Sequence, residues 1–138
     1  MNTNTQIIGK KVIEDYIKAF NERNAIKMAD LFNFPHVRFA NDTVSIISKS
    51  EYIENQDKVT ELLRNENWHH TKIRDIQHIQ SNEKKAHFII HFLRLDKKGN
   101  ITHDFKTFWI VTSIDNHWGI QFRSSFLTSK AATFGKNI

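Results

Sequence analysis

The chain has 138 residues, of which 39% are apolar and 25% charged, with four Gly, one Pro and no Cys. That balance suits one folded domain and excludes a linker-rich or disordered chain, disulfides, thiolate catalysis and cysteine-based metal centres. The formal charge is +5, no apolar run approaches the ~20 residues of a membrane span, and the opening MNTNTQIIGKK holds no apolar leader core, so a cytoplasmic domain without membrane contact is expected.

From Ile7 to Phe20, the apolar residues Ile8, Val12, Ile13, Tyr16, Ile17, Ala19 and Phe20 recur at helical spacing and predict an amphipathic helix. Asn24 is a candidate N-cap for a short second helix with Ala25, Met28, Ala29, Leu31 and Phe32 inward, and Pro35 is expected to stop it. Val37–Ala40 and Val44–Ile47 flank Asn41-Asp42-Thr43, which reads as a hairpin. Ser48-Lys49-Ser50-Glu51 then has capping-box spacing and opens a third helix to about Asn65, with Tyr52, Ile53, Val59, Leu62 and Leu63 on its buried side.

Beyond Asn67 the period changes. Segments 68–80, 86–95, 101–114 and 118–126 are rich in β-branched and aromatic residues and are separated by turn chemistry. Helices first and a strand meander after is an α+β pattern, with helices on one face of an antiparallel sheet. Phe88, Ile90, Phe92 and Arg94 share one face, and His87, Ile89, His91, Leu93 and Leu95 the other. Phe105, Thr107, Trp109 and Val111 oppose Phe108, Ile110, Thr112 and Ile114. Both faces are substantially apolar, which predicts a cover for the outer one; a homodimer through that face is expected.

Residues 1–66 hold 9 Lys/Arg against 10 Asp/Glu, and residues 67–138 hold 11 against 5, so the positive excess lies in the second half. Either an anionic ligand or a solvated face accounts for it. The lysines are scattered or paired at turns, with no basic stripe interleaved with aromatics, so nucleic acid is not expected.

The order of elements, with Tyr16-Ile17-Lys18-Ala19-Phe20-Asn21, Leu31-Phe32, Phe34-Pro35-His36-Val37-Arg38-Phe39 and the terminal His117–Phe126, resembles the nuclear transport factor 2-like superfamily. SnoaL-like and ketosteroid-isomerase-like proteins are among its members. The resemblance covers about residues 5–128 of a single domain 1–138, leaving 129–138 as a C-terminal tail. It implies a cystatin-like cone: a curved, mostly antiparallel sheet packed on three helices, with a pocket at one end and a small-molecule ligand. Steroid isomerisation in this group uses a carboxylate base and an oxyanion hole of Tyr and protonated Asp. Tyr16 matches the tyrosine through Tyr-x-x-Ala-aromatic-Asn. The base should lie in Val37–Ala40 and the second acid near Ile110, where no carboxyl stands, so that reaction is not expected.

His36 and Arg38 lie two apart on one strand and share a face. Beside Tyr16 they suit a carboxylate or phosphate; the alternative is an exposed edge pair. Arg94 and Arg123 are further anion candidates, against a rim ion pair for Arg94 and a salt bridge to Asp104 for Arg123. Trp68 and Trp109 are either pocket walls or plain core, and the Tyr16 hydroxyl needs a ligand or a backbone carbonyl as partner. No metal or cofactor is expected: His69 and His70 point to opposite faces, and His87 and His91 on a strand stand ~13 Å apart. The leading expectation is a binder of a small, largely apolar ligand with an anionic or carbonyl end. The alternatives are a lyase or isomerase with His36 as general acid or base and Tyr16 or Arg38 at the oxyanion, and an interaction module on the outer sheet face.

Overall fold

The computed structural model describes residues 4–138. Helix α1 (Asn4–Asn21) buries Val12, Ile13, Tyr16, Ile17 and Ala19, the face its spacing predicts. A Cβ on Gly9 would fall 2.7 Å from the Phe88 ring, so a missing side chain lets α1 lie close on the sheet. Helix α2 (Ala25–Asp30) starts where expected, with the Asn24 side chain accepting from the Lys27 N–H.

Pro35 does not stop α2. Leu31 already caps the helix, and strand β1 (Phe32–Ala40) begins three residues before the proline. The cause is tertiary: the Leu31 carbonyl accepts from the Ile120 N–H, and Phe32 pairs with Ile120, so the sheet claims a segment that helical spacing alone would continue. Pro35 follows a cis peptide bond and lies exposed at a register shift, where the ladder needs no donor from it.

Asn41, at φ 52°, turns the chain into β2 (Thr43–Ile47). The predicted capping box of Ser48 and Glu51 opens α3 (Lys49–Asn65), which buries Tyr52, Gln56 and Leu63. Then come β3 (His70–Ser81), β4 (Lys85–Leu95), β5 (Ile101–Ile114) and β6 (His117–Ser125), and a short β7 (Lys136–Asn137) pairs with β2. The sheet order is β3-β4-β5-β6-β1-β2-β7, and only β1–β6 is parallel. The fold is therefore α+β: three helices in the cone of a curved, mostly antiparallel sheet.

The two sheet faces follow the predicted alternation. Phe88, Ile90, Phe92, Trp109, Val111 and Ile120 join α1 and α2 in the core. Val37, Phe39, Ile89, Leu93, Phe108 and Phe122 are half-buried on the other face. Among the described residues, no helix is long and apolar enough to cross a membrane.

Candidate functional site

The helices do not fill the cone. Two adjoining lobes lie between them and the inner face of the sheet, sharing Tyr16, Phe20, Arg38, Arg94 and Arg123. The larger, about 80 Å³, is also walled by Ile47, Tyr52, Gln56, Ala131, Ala132 and Phe134. The smaller, about 40 Å³, is walled by Ile17, Thr71, Phe92, Phe105, Thr107 and Trp109.

Arg123 is the hub. Its Nε donates to His36 Nε2 at 3.0 Å and its Nη1 to the Tyr16 hydroxyl at 3.4 Å. Its guanidinium lies 4.8 Å from the Phe32 ring centroid and 5.9 Å from that of Trp109. A guanidinium only donates, so His36 Nε2 must accept. The His36 proton then sits on Nδ1 and is donated to the Ile120 carbonyl at 3.2 Å. His36 is 0% exposed and stacks on Phe32 at 4.1 Å. Burial, then the charges of Arg123 and Arg38, hold its pKa well below the ordinary imidazole value. It is therefore neutral, with both nitrogens occupied and no lone pair free for a general base. His36 lines neither lobe; it orients Arg123.

Arg38 lines both lobes, and its Nε is buried without a hydrogen-bond partner. Burial first, then the charge of Arg123, pushes its pKa well below the usual arginine value. Arg94 is better served. Its Nη1 donates to Ser129 Oγ at 2.9 Å and lies 3.9 Å from a Glu66 carboxylate oxygen. Burial lowers its pKa to about 10, against the pull of Glu66. Tyr16 Oη lies 2.8 Å from Tyr52 Oη, and the Tyr52 hydroxyl also donates to Met28 Sδ at 3.7 Å. Burial, then Tyr16, raises the Tyr52 pKa well above the phenol value, so it remains a neutral donor. The Tyr16 hydroxyl thus bonds two side chains; no backbone carbonyl is its partner.

Trp109 lines the smaller lobe, with its N–H on Thr107 Oγ1. Trp68 stands outside both lobes, edge-on to Phe20 and donating to Thr71 Oγ1. The alternative of an Arg123–Asp104 salt bridge fails because strand alternation turns Asp104 outward, where it pairs with His91. Sequence reasoning placed Tyr52 on the buried side of α3 without a role. The need of a buried hydroxyl for a partner, the signal used for Tyr16, applies equally to it. Nothing in residues 126–138 marked them as a cavity wall.

Three guanidiniums thus meet at one cavity, with Glu66 near one of them. Among the described residues, no Asp, Glu or His lines either lobe, and no group of three or more His, Asp or Glu could hold a metal ion. What the arrangement can do is accept an oxyanion: two cationic donor groups converge between aromatic walls, with both phenol protons already given, Tyr52's to Met28 and Tyr16's to Tyr52.

The family model described as NTF2-like protein (DUF6841) matches residues 8–124. The chain belongs to this NTF2-like family. No curated protein matches the sequence. Solved structures agree on the fold. A domain of unknown function with a cystatin-like fold from Nostoc punctiforme is similar at TM-score 0.71 and 13% identity, over 93% of this chain and 81% of that one. An NTF-2 like protein of unknown function from Shewanella oneidensis gives 0.64 and 14%, over 84% and 93%. A ketosteroid isomerase-like protein from Erwinia carotovora atroseptica gives 0.64 and 13%, over 92% and 100%. At these identities the likeness speaks for the NTF2-like cone alone.

Proposed function

We propose that this NTF2-like domain acts in the cytoplasm as a binder of a small organic anion. The acid or carbonyl oxygens sit between Arg38 and Arg123, and the apolar part lies against Phe92, Phe105 and Trp109. The unpartnered Arg38 Nε, beside Arg123 in a cavity that no carboxylate lines, carries this reading. Arg38 as a whole is half-buried, but its Nε is shut off from water with no acceptor; leaving a buried donor unmade costs about 1–3 kcal/mol, and a ligand oxyanion is the acceptor that the site lacks. The lining supports binding over a lyase or isomerase reaction, because His36 is committed to Arg123 and no carboxylate faces the lobes.

Calorimetric titration with small carboxylates tests this. A bound acid at 100 times its Kd should raise unfolding stability by about 2.7 kcal/mol, and Arg38→Met should abolish the effect. No binding across the panel, together with no co-purified small molecule in native mass spectrometry, would overturn the proposal.

A second proposal concerns assembly. On the outer sheet face the Phe39 and Phe122 rings lie 5.8 Å apart and those of Phe108 and Phe122 6.0 Å apart, all half-buried. We infer that a second copy covers this face as an isologous dimer. A monomeric mass by light scattering at micromolar concentration would refute it.

A further inference from the structure

The C-terminal segment after β6 forms part of the cavity wall. Ser129 Oγ accepts from Arg94 and donates to Glu66 Oε1 at 2.7 Å, which ties the segment to the cavity rim. Ala131, Ala132 and Phe134 line the larger lobe. Beyond them Gly135 adopts φ +139°, and a Cβ there would meet the Val44 carbonyl oxygen at 2.3 Å. Only glycine lets the chain drop onto β2 at this point. Strand β7 then pairs with Thr43 and Val44, and the Ile138 N–H donates to the Asp42 carbonyl. The segment is thus pinned at both ends, across the larger lobe. It also lies beyond residues 8–124, which the family model matches.

Space is the consequence. The lobes hold about 80 and 40 Å³, whereas a cavity that takes benzene measures ~150 Å³. Once an acid group lies between Arg38 and Arg123, the remaining room suits a few methylenes, not a ring or a long chain.

We propose that residues 126–138 are a strap that sets the upper size limit of the ligand, restricting it to short aliphatic carboxylic acids. This rests on the reading that the cavity binds an organic anion. Arg38 and Arg123 recognise the carboxylate, the aromatic walls of the smaller lobe take a short alkyl part, and a longer chain has to run on into the larger lobe, where Phe134 with the two alanines blocks it. Forcing extra atoms into a packed site typically weakens binding about tenfold or more.

The test titrates butyrate, octanoate and phenylacetate into the full chain and into Phe134→Ala, Gly135→Ala and Arg38→Met variants. Phe134 is only half-buried, so its truncation spares the core, while Gly135→Ala frees the strap by a different route. The wild type should prefer butyrate over both larger acids by at least about tenfold. Either strap variant should shrink that ratio about tenfold. Equal or tighter wild-type binding of the larger acids would overturn the inference, as would an unchanged ratio in both strap variants. Where butyrate binding depends on Arg38 and the ratio stays fixed, the strap alone falls. Where the wild type binds no acid, or Arg38→Met binds as well as wild type, the anion site falls and takes the strap with it.

Discussion

The two faces of one sheet handle charge in opposite ways. Outside, Asp104 pairs with His91 at a position where water would solvate either group. Inside, Arg38 and Arg123 have no carboxylate, although low dielectric makes an unpaired cation most costly there. Arg123 lies on aromatic faces and a neutral imidazole instead. A domain arranged for stability alone would do the reverse. The inner face gives up stability where the proposed anion site lies, as binding sites commonly do.

If that contrast is right, Arg38→Met should have the largest effect. It should stabilise the ligand-free protein in urea unfolding by up to about 3 kcal/mol, the cost of leaving a buried donor unsatisfied; destabilisation would break the comparison. Tyr16→Phe removes the hydroxyl shared by Arg123 and Tyr52, both already buried. It should cost about 1–3 kcal/mol and weaken carboxylate binding. The depressed His36 pKa gives a smaller, pH-dependent effect. Unfolded His36 takes up a proton below about pH 6.5 while the buried ring does not, so stability is full above that pH and falls as the pH drops towards the folded pKa. His87 and His103 are shifted the same way and add to the trend. His36→Gln should flatten the pH dependence of the unfolding free energy, read from urea titrations between pH 7 and 5, by up to about 1.4 kcal/mol per pH unit. On the outer face, Phe108→Lys should yield monomers on size-exclusion chromatography with carboxylate affinity intact. Asp104→Asn, at the partly exposed pair, should leave the urea midpoint unmoved.

Much of the fold was legible because the signals were local. The spacing of Val12, Ile13, Tyr16 and Ile17 marks α1, Ser48 and Glu51 mark the start of α3, and alternation along β4 and β5 assigns the faces correctly. The end of α2 was misread because a pairing between Phe32 and Ile120 decides it, and propensity cannot see so distant a partner. The site was half legible for a related reason. Strand alternation brings Arg94, Trp109 and Arg123 to the inner face, and Tyr16 follows from helical spacing. That His36 serves Arg123, and that residues 131–134 wall the cavity, depend on contacts between segments with no shared period.

The parallel pairing of β1 with β6 has a kinetic consequence. The bonds that shape the cavity join residues far apart in sequence: His36 to Ile120 across 84 positions, His36 to Arg123 across 87, and Tyr16 to Arg123 across 107. Helices and hairpins can form early, but closure of such long loops comes late and slows folding. During synthesis, the arginine cluster cannot assemble until β6 has emerged. The proposed acid site would then be complete only as the last long strand closes, and ligand capture, if it occurs there, would report completed folding.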